Sequence, residues 1–169
     1  MTIHERNWTD RPFDVSNLLN PAFMGVILRK CTEGYAIENE HGLPFELAFL
    51  VFPLVLHQPT RTTLPATTRT RMQPWLQENR EVLIQFGSRT RELVPFVKEA
   101  VMFCLKRRVV ELSVTGRFTV GAYKFKGRKE HQASSDEVNA VFRKAEFVGR
   151  WLNTGGPSTN IFAMLGVRP

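Results

Sequence analysis

The chain has 169 residues, 43% of them apolar, with 13 Phe and three Trp, enough for one aromatic-rich core and too apolar for a disordered chain. The longest greasy run, Leu43–Leu56, falls short of the roughly 20 apolar residues that cross a bilayer and contains Pro44, Glu46 and Pro53. Met1–Arg11 lacks the apolar centre of a signal peptide, so the chain reads as cytoplasmic with no membrane partner, and its net charge of +7 favours polyanions, either nucleic acid or an acidic protein surface.

In chain order, Asn20-Pro21 opens a helix, with Asn as cap and Pro in the first turn, and Gly34 is a plausible stop. Gly42-Leu43-Pro44 leads into a second helix, Phe45 to about His57, apolar on nearly every side, which Pro53 should kink or restart. Gln58–Arg71 carries two Pro, a scatter of Thr and few core candidates, and reads as an extended basic loop over the surface. Pro74-Trp75-Leu76 starts a short helix. Arg80–Arg108 fits two helices, or one broken near Gly87-Ser88, with Ser88 as a cap or Pro95 marking the first turn.

The period then changes. Val109–Val114 and Phe118–Tyr123 are rich in β-branched and aromatic residues, and Thr115-Gly116-Arg117 joins them as a hairpin. Lys124–Glu130 is a charged excursion. Ser134 and Glu137 can form a capping box for a last amphipathic helix that ends at Thr154-Gly155-Gly156-Pro157, followed by an apolar tail, Ile161–Val167. The expected architecture is one domain over 1–169, mostly α with one β-hairpin (α+β), and the run of helices followed by a hairpin suggests a winged-helix-like arrangement.

Chemistry is hard to find. The four His are scattered, Cys31 and Cys104 sit among apolar residues as buried free thiols, and no phosphate-binding loop or nucleophile elbow is present, so no cofactor or metal is expected. Glu46 in the apolar helix should face solvent or pair with an Arg, because an unpaired buried carboxylate is costly. His57 should serve the last carbonyls of that helix. These residues define no catalytic set, which points away from an enzyme.

The basic residues are better organised. Arg61, Arg69 and Arg71 lie in the Pro/Thr loop, Arg89 and Arg91 follow, and Lys106 and Arg107 precede the hairpin. Arg117 sits at its turn, and Lys124, Lys126 and Arg128 come after it. Such a set can hold a polyanion or an acidic partner, or it can be a solvated face. Trp75, Trp151 and Phe162 are candidate interface anchors, with burial in the core as the alternative.

Taken together, these segments resemble the middle component of three-component ABC systems, bacterial conflict modules that include Lamassu-type defence. The resemblance rests on Leu18-Leu19-Asn20-Pro21-Ala22-Phe23, Gly42-Leu43-Pro44-Phe45, Phe49–His57, Pro59-Thr60-Arg61, Leu93-Val94-Pro95, Arg143–Trp151 and the ending Ile161–Pro169. It spans about Leu18 to Pro169 and is thinnest over Val109–Gln132. It implies a non-catalytic adaptor that joins an SMC-like ABC ATPase to an effector such as a nuclease, with DNA a further partner of the complex. A free-standing winged-helix regulator that binds DNA is the alternative from another class. On either reading the arginines of the Pro/Thr loop should be dispensable for folding.

Overall fold

The computed structural model describes residues 17–123 and 135–168, together with Asp10 and Pro12. Helix α1, Pro21–Glu38, starts where the sequence places it: the Asn20 side chain accepts the Ala22 N–H at 2.8 Å. It does not stop at Gly34. That glycine is buried inside α1, where any Cβ would collide with the Glu146 carbonyl of helix α6, Asp136–Leu152. Gly149 of α6 meets the Cys31 carbonyl of α1 in the same way. Two glycines, one per helix, therefore let the backbones approach closely, and this pair is the most extensive helix contact in the fold.

After α1, the two-residue strand β1, Leu43–Pro44, and a short 3₁₀ turn lead into α2, Ala48–Leu56. Helix α2 is buried at Ala48 and from Leu50 through Val55, as its all-round apolar sequence requires, and lies between α6 and the long helix α5, Phe86–Lys106. Pro53 sits inside α2, and Glu46 in the preceding turn is exposed, in keeping with the solvent-facing reading.

The Pro/Thr segment differs from expectation in its first half. Gln58–Thr63 forms a short helix, α3, because Pro59 falls in the first turn, where its missing N–H costs nothing, and His57 supplies the cap. The His57 ring accepts the Thr60 N–H at 3.3 Å, so it opens α3 rather than closing α2. Residues 64–71 are irregular, as expected. Helix α4, Met72–Glu78, and a 3₁₀ turn, Arg80–Leu83, follow.

Helix α5 runs unbroken through Gly87-Ser88 and Pro95, so neither Ser88 nor Pro95 marks its start. Its first residue is Phe86, fully buried, preceded by Gln85 in the left-handed conformation (φ 57°). Burial of one continuous apolar stripe overrides the two local breakers. Arg108, also left-handed (φ 54°), turns the chain into β2, Val110–Leu112. Strand β3, Arg117–Val120, pairs antiparallel with β2, Leu112 opposite Phe118. The hairpin was legible; its third strand was not. β1 joins the other edge of β3, Leu43 opposite Phe118, giving the order β1-β3-β2. A two-residue strand containing Pro carries no alternation to read.

The last helix, α6, is capped by Ser135, whose hydroxyl accepts the Val138 N–H at 3.3 Å. The expected cap, Ser134, lies outside the described residues. Gly156 (φ 78°) ends the following 3₁₀ turn, and helix α7, Ser158–Met164, folds the apolar tail back onto the core through Ile161, Phe162 and Leu165. The fold is mostly helical with a small antiparallel sheet, an α+β arrangement around one continuous core that extends from Met24 to Leu165.

Candidate macromolecular interface

The structure sorts the basic residues into structural and free ones. Arg61 is buried at 4% exposure, with one guanidinium nitrogen 2.6 Å from the Val55 carbonyl and the other paired with Glu137 of α6. It ties the end of α2 to the start of α6 and is removed from any surface patch. The reason is the helix α3 that the loop reading lacked, which turns Arg61 inward. Arg69 and Arg71 remain exposed on the irregular strap.

That strap is held by side chains from below. Trp75 Nε1 donates to the Thr63 carbonyl and Trp151 Nε1 to the Thr70 carbonyl, each at 2.7 Å, and Lys144 Nζ reaches the Leu64 carbonyl at 3.2 Å. Burial lowers the Lys144 pKa below the usual lysine value. Trp75 and Trp151 meet edge to face with ring centroids 5.0 Å apart, and both are buried, as is Phe162. All three are therefore core anchors in this chain rather than exposed interface residues: the indoles pin the strap, and the ring of Phe162 closes α7 on the body.

Arg89 is also engaged internally, donating to the Ile84 carbonyl at 2.9 Å and the Val82 carbonyl at 3.2 Å, which satisfies the end of the 3₁₀ turn. Arg117 donates to the Gly42 carbonyl at 3.1 Å, so it joins β3 to the turn that leads into β1. Arg91, Lys106 and Arg107 are exposed. Lys124, Lys126 and Arg128 lie outside the described residues.

A candidate surface forms at the end of α5 beside the hairpin. A cleft of about 130 Å³ opens there, lined by Ala22, Gly25, Phe103, Arg107, Val109 and Tyr123. The Arg107 guanidinium lies 5.9 Å from the centre of the Phe103 ring, and Met102 beside it is 55% exposed. Apolar surface flanked by Lys106 and Arg107 suits a partner that brings an apolar side chain and acidic neighbours. Met102 and Phe103 fall outside the apolar repeat read over 80–108, so the sequence alone does not single them out. Arg29 was missed for a related reason: it reads as a solvated helix residue, yet its guanidinium donates to the carbonyls of Val109, Gly121 and Tyr123 and clamps both ends of the hairpin to α1.

Neither thiol has the environment of a nucleophile. Cys31 and Cys104 are buried, and desolvation raises both pKa values, that of Cys104 to about 12. Among the described residues no group of three His, Cys, Asp or Glu is placed to hold a metal ion, and no helix is long and apolar enough to cross a membrane.

No curated protein and no solved structure shows significant similarity to the chain. A family model does: that of the ABC-three component (ABC-3C) system Middle Component 3 matches residues 8–169. The match takes in every element from α1 to α7, and the chain belongs to the Middle Component 3 family of ABC-three component systems.

Proposed function

We propose that the protein is the non-catalytic adaptor of a cytoplasmic bacterial defence complex of Lamassu type, joining an SMC-like ABC ATPase to an effector such as a nuclease. Family membership across residues 8–169 makes it a component that works with the other members of an ABC system. The observation that carries the adaptor role is the end of α5, where a mainly apolar cleft is lined by Phe103 and Arg107 and the same stretch of helix exposes Met102 and Lys106. Such a surface binds through a few apolar anchors while its charges set orientation and on-rate. ATP hydrolysis and DNA cleavage fall to the partners. A double variant, Met102→Glu with Arg107→Glu, tests the surface: the chain should stay folded while capture of the ATPase or effector falls at least tenfold. Undiminished capture of both would exclude this surface.

The second reading is a DNA-binding regulator. What favours it is connectivity: a helix, a strand, further helices and then a hairpin, with the early strand on the β3 edge, is the order of a winged helix. Against it, α3, α4 and a 3₁₀ turn separate α2 from α5, where a helix-turn-helix needs a short joint. A regulator binds duplex DNA alone, with log affinity falling by about 0.9 per phosphate contact per log unit of salt. The adaptor reading expects only weak binding by the isolated chain.

A further inference from the structure

A second cleft, of about 420 Å³, opens on another part of the molecule, between the C-terminal end of α1, the strap and the end of α6. Its lining is polar throughout: Glu38, Asn39, Thr68, Arg150, Asn153 and Thr154. Three of these, Glu38, Thr68 and Arg150, have side chains with no hydrogen bond or ion pair among the described residues. The Arg150 Nε is moreover buried and unpartnered. A buried guanidinium N–H without an acceptor is costly, and Glu38 on the same wall does not supply one.

The walls are fixed in advance. The strap that carries Thr68 is pinned on one side of it by Lys144 at Leu64 and on the other by Trp151 at Thr70. The Asn153 amide donates to the Tyr35 carbonyl at 3.2 Å, holding the end of α6 to the last turn of α1. Asn39 is set by its own turn, its side chain accepting the His41 N–H at 3.1 Å. The Thr154 hydroxyl donates to the Trp151 carbonyl at 2.7 Å. A rigid polar cleft that leaves a guanidinium, a hydroxyl and a carboxylate unspent is organised as a binding site.

We propose that this cleft binds a carboxylate, held by the Arg150 guanidinium, from a ligand that also offers an N–H or O–H donor to Glu38. A planar guanidinium fork matches a carboxylate, and Glu38 disfavours a phosphate, whose second charge it would repel. The acidic residue of a protein partner has this chemistry, its side chain meeting Arg150 and its backbone N–H meeting Glu38. So does a small N-acyl amino acid. The partner source rests on the adaptor reading; the site itself does not.

The test titrates the full-length, isotope-labelled chain with N-acetylaspartate α-methylamide, which carries one carboxylate and backbone-like N–H groups, and follows the Arg150 Nε–H resonance and the amides of Asn39, Thr68 and Thr154. Saturable shifts at these positions are expected. Arg150→Lys keeps the charge at the end of α6 but loses the fork, and should weaken binding about tenfold. Arg150→Met should abolish it, with both variants melting within a few degrees of the wild type. Absent shifts, shifts elsewhere, unchanged binding in either variant, or tighter binding of inorganic phosphate would each overturn the assignment. Should Arg150→Met fail to fold, the Lys variant and the Nε–H resonance decide. The source is read separately, by assembly of the same variants with the ATPase and the effector. A tenfold loss there puts the carboxylate on a partner, whereas unchanged assembly of the variants, with the wild type still binding the capped aspartate, assigns the site to a free small carboxylate. Failure of the titration removes the carboxylate site and leaves the adaptor reading standing.

Discussion

Arg61 and its neighbours Arg69 and Arg71 have the same chemistry and opposite roles, and burial separates them. With its side chain 5% exposed, Arg61 satisfies the Val55 carbonyl and the Glu137 carboxylate. Arg61→Ala leaves that carbonyl unpaired and should cost about 1–3 kcal/mol, whereas alanine at the exposed positions 69 and 71 should change stability by less than about 0.5 kcal/mol. Urea unfolding of the single variants measures both. His57 gives a second test at this scale. Burial, with the nearby Arg89 adding to it, lowers its pKa in the folded chain below the ordinary 6.5. The unfolded chain therefore takes up a proton first as the solution is acidified, so the stability from neutral His57 is present above pH 6.5 and is lost as pH falls below it. Protonation also removes the ring acceptor that caps α3. His57→Asn keeps a neutral cap and should flatten the acid side of the stability curve. The buried thiols of Cys31 and Cys104 should resist a thiol-specific reagent in the native chain and react at the rate of unfolding.

At the scale of elements, the crossing of α1 and α6 is the joint that nothing in local sequence announces. Gly34 reads as a helix stop because glycine usually is one, yet it lies inside α1 opposite Glu146, and Gly149 faces Cys31. Gly34→Ala or Gly149→Ala forces a methyl into a backbone carbonyl and should destabilise the chain by about 3 kcal/mol or more, measured by thermal melting. The same residues show what a sequence can disclose. Caps and apolar periodicity are local, so Asn20, the apolar stripe of α5 and the β-branched hairpin were readable. Tertiary contacts are not local, so the close glycine pair, the strand at Leu43–Pro44 and the continuity of α5 through Pro95 were not. The candidate surfaces follow the same rule. Arg107 stood out as a cation and its place along Phe103 is local, but the cleft beside them needs Ala22, Gly25, Val109 and Tyr123 brought in from other segments, and the polar cleft at Arg150 joins residues from three distant segments.

Among the described residues the aromatic side chains are mostly turned inward. Trp75, Trp151 and Phe162 secure the strap and the tail, which leaves recognition to smaller features on the outside. Those features, an apolar cleft with two cations and a polar cleft with an unpaired guanidinium, share helix α1 but use its two ends, Ala22 and Gly25 in the first and Glu38 in the second. Membership of the Middle Component 3 family supplies the setting. The most direct measurement is co-purification of the tagged full-length chain with the products of its neighbouring genes, the proposed ABC ATPase and effector among them, followed by light scattering. A stable complex containing all three, which loses a partner with the Met102→Glu, Arg107→Glu double variant, is the predicted result. A lone monomer or homodimer that ignores both proteins and shifts duplex DNA in a salt-dependent way would contradict the adaptor account.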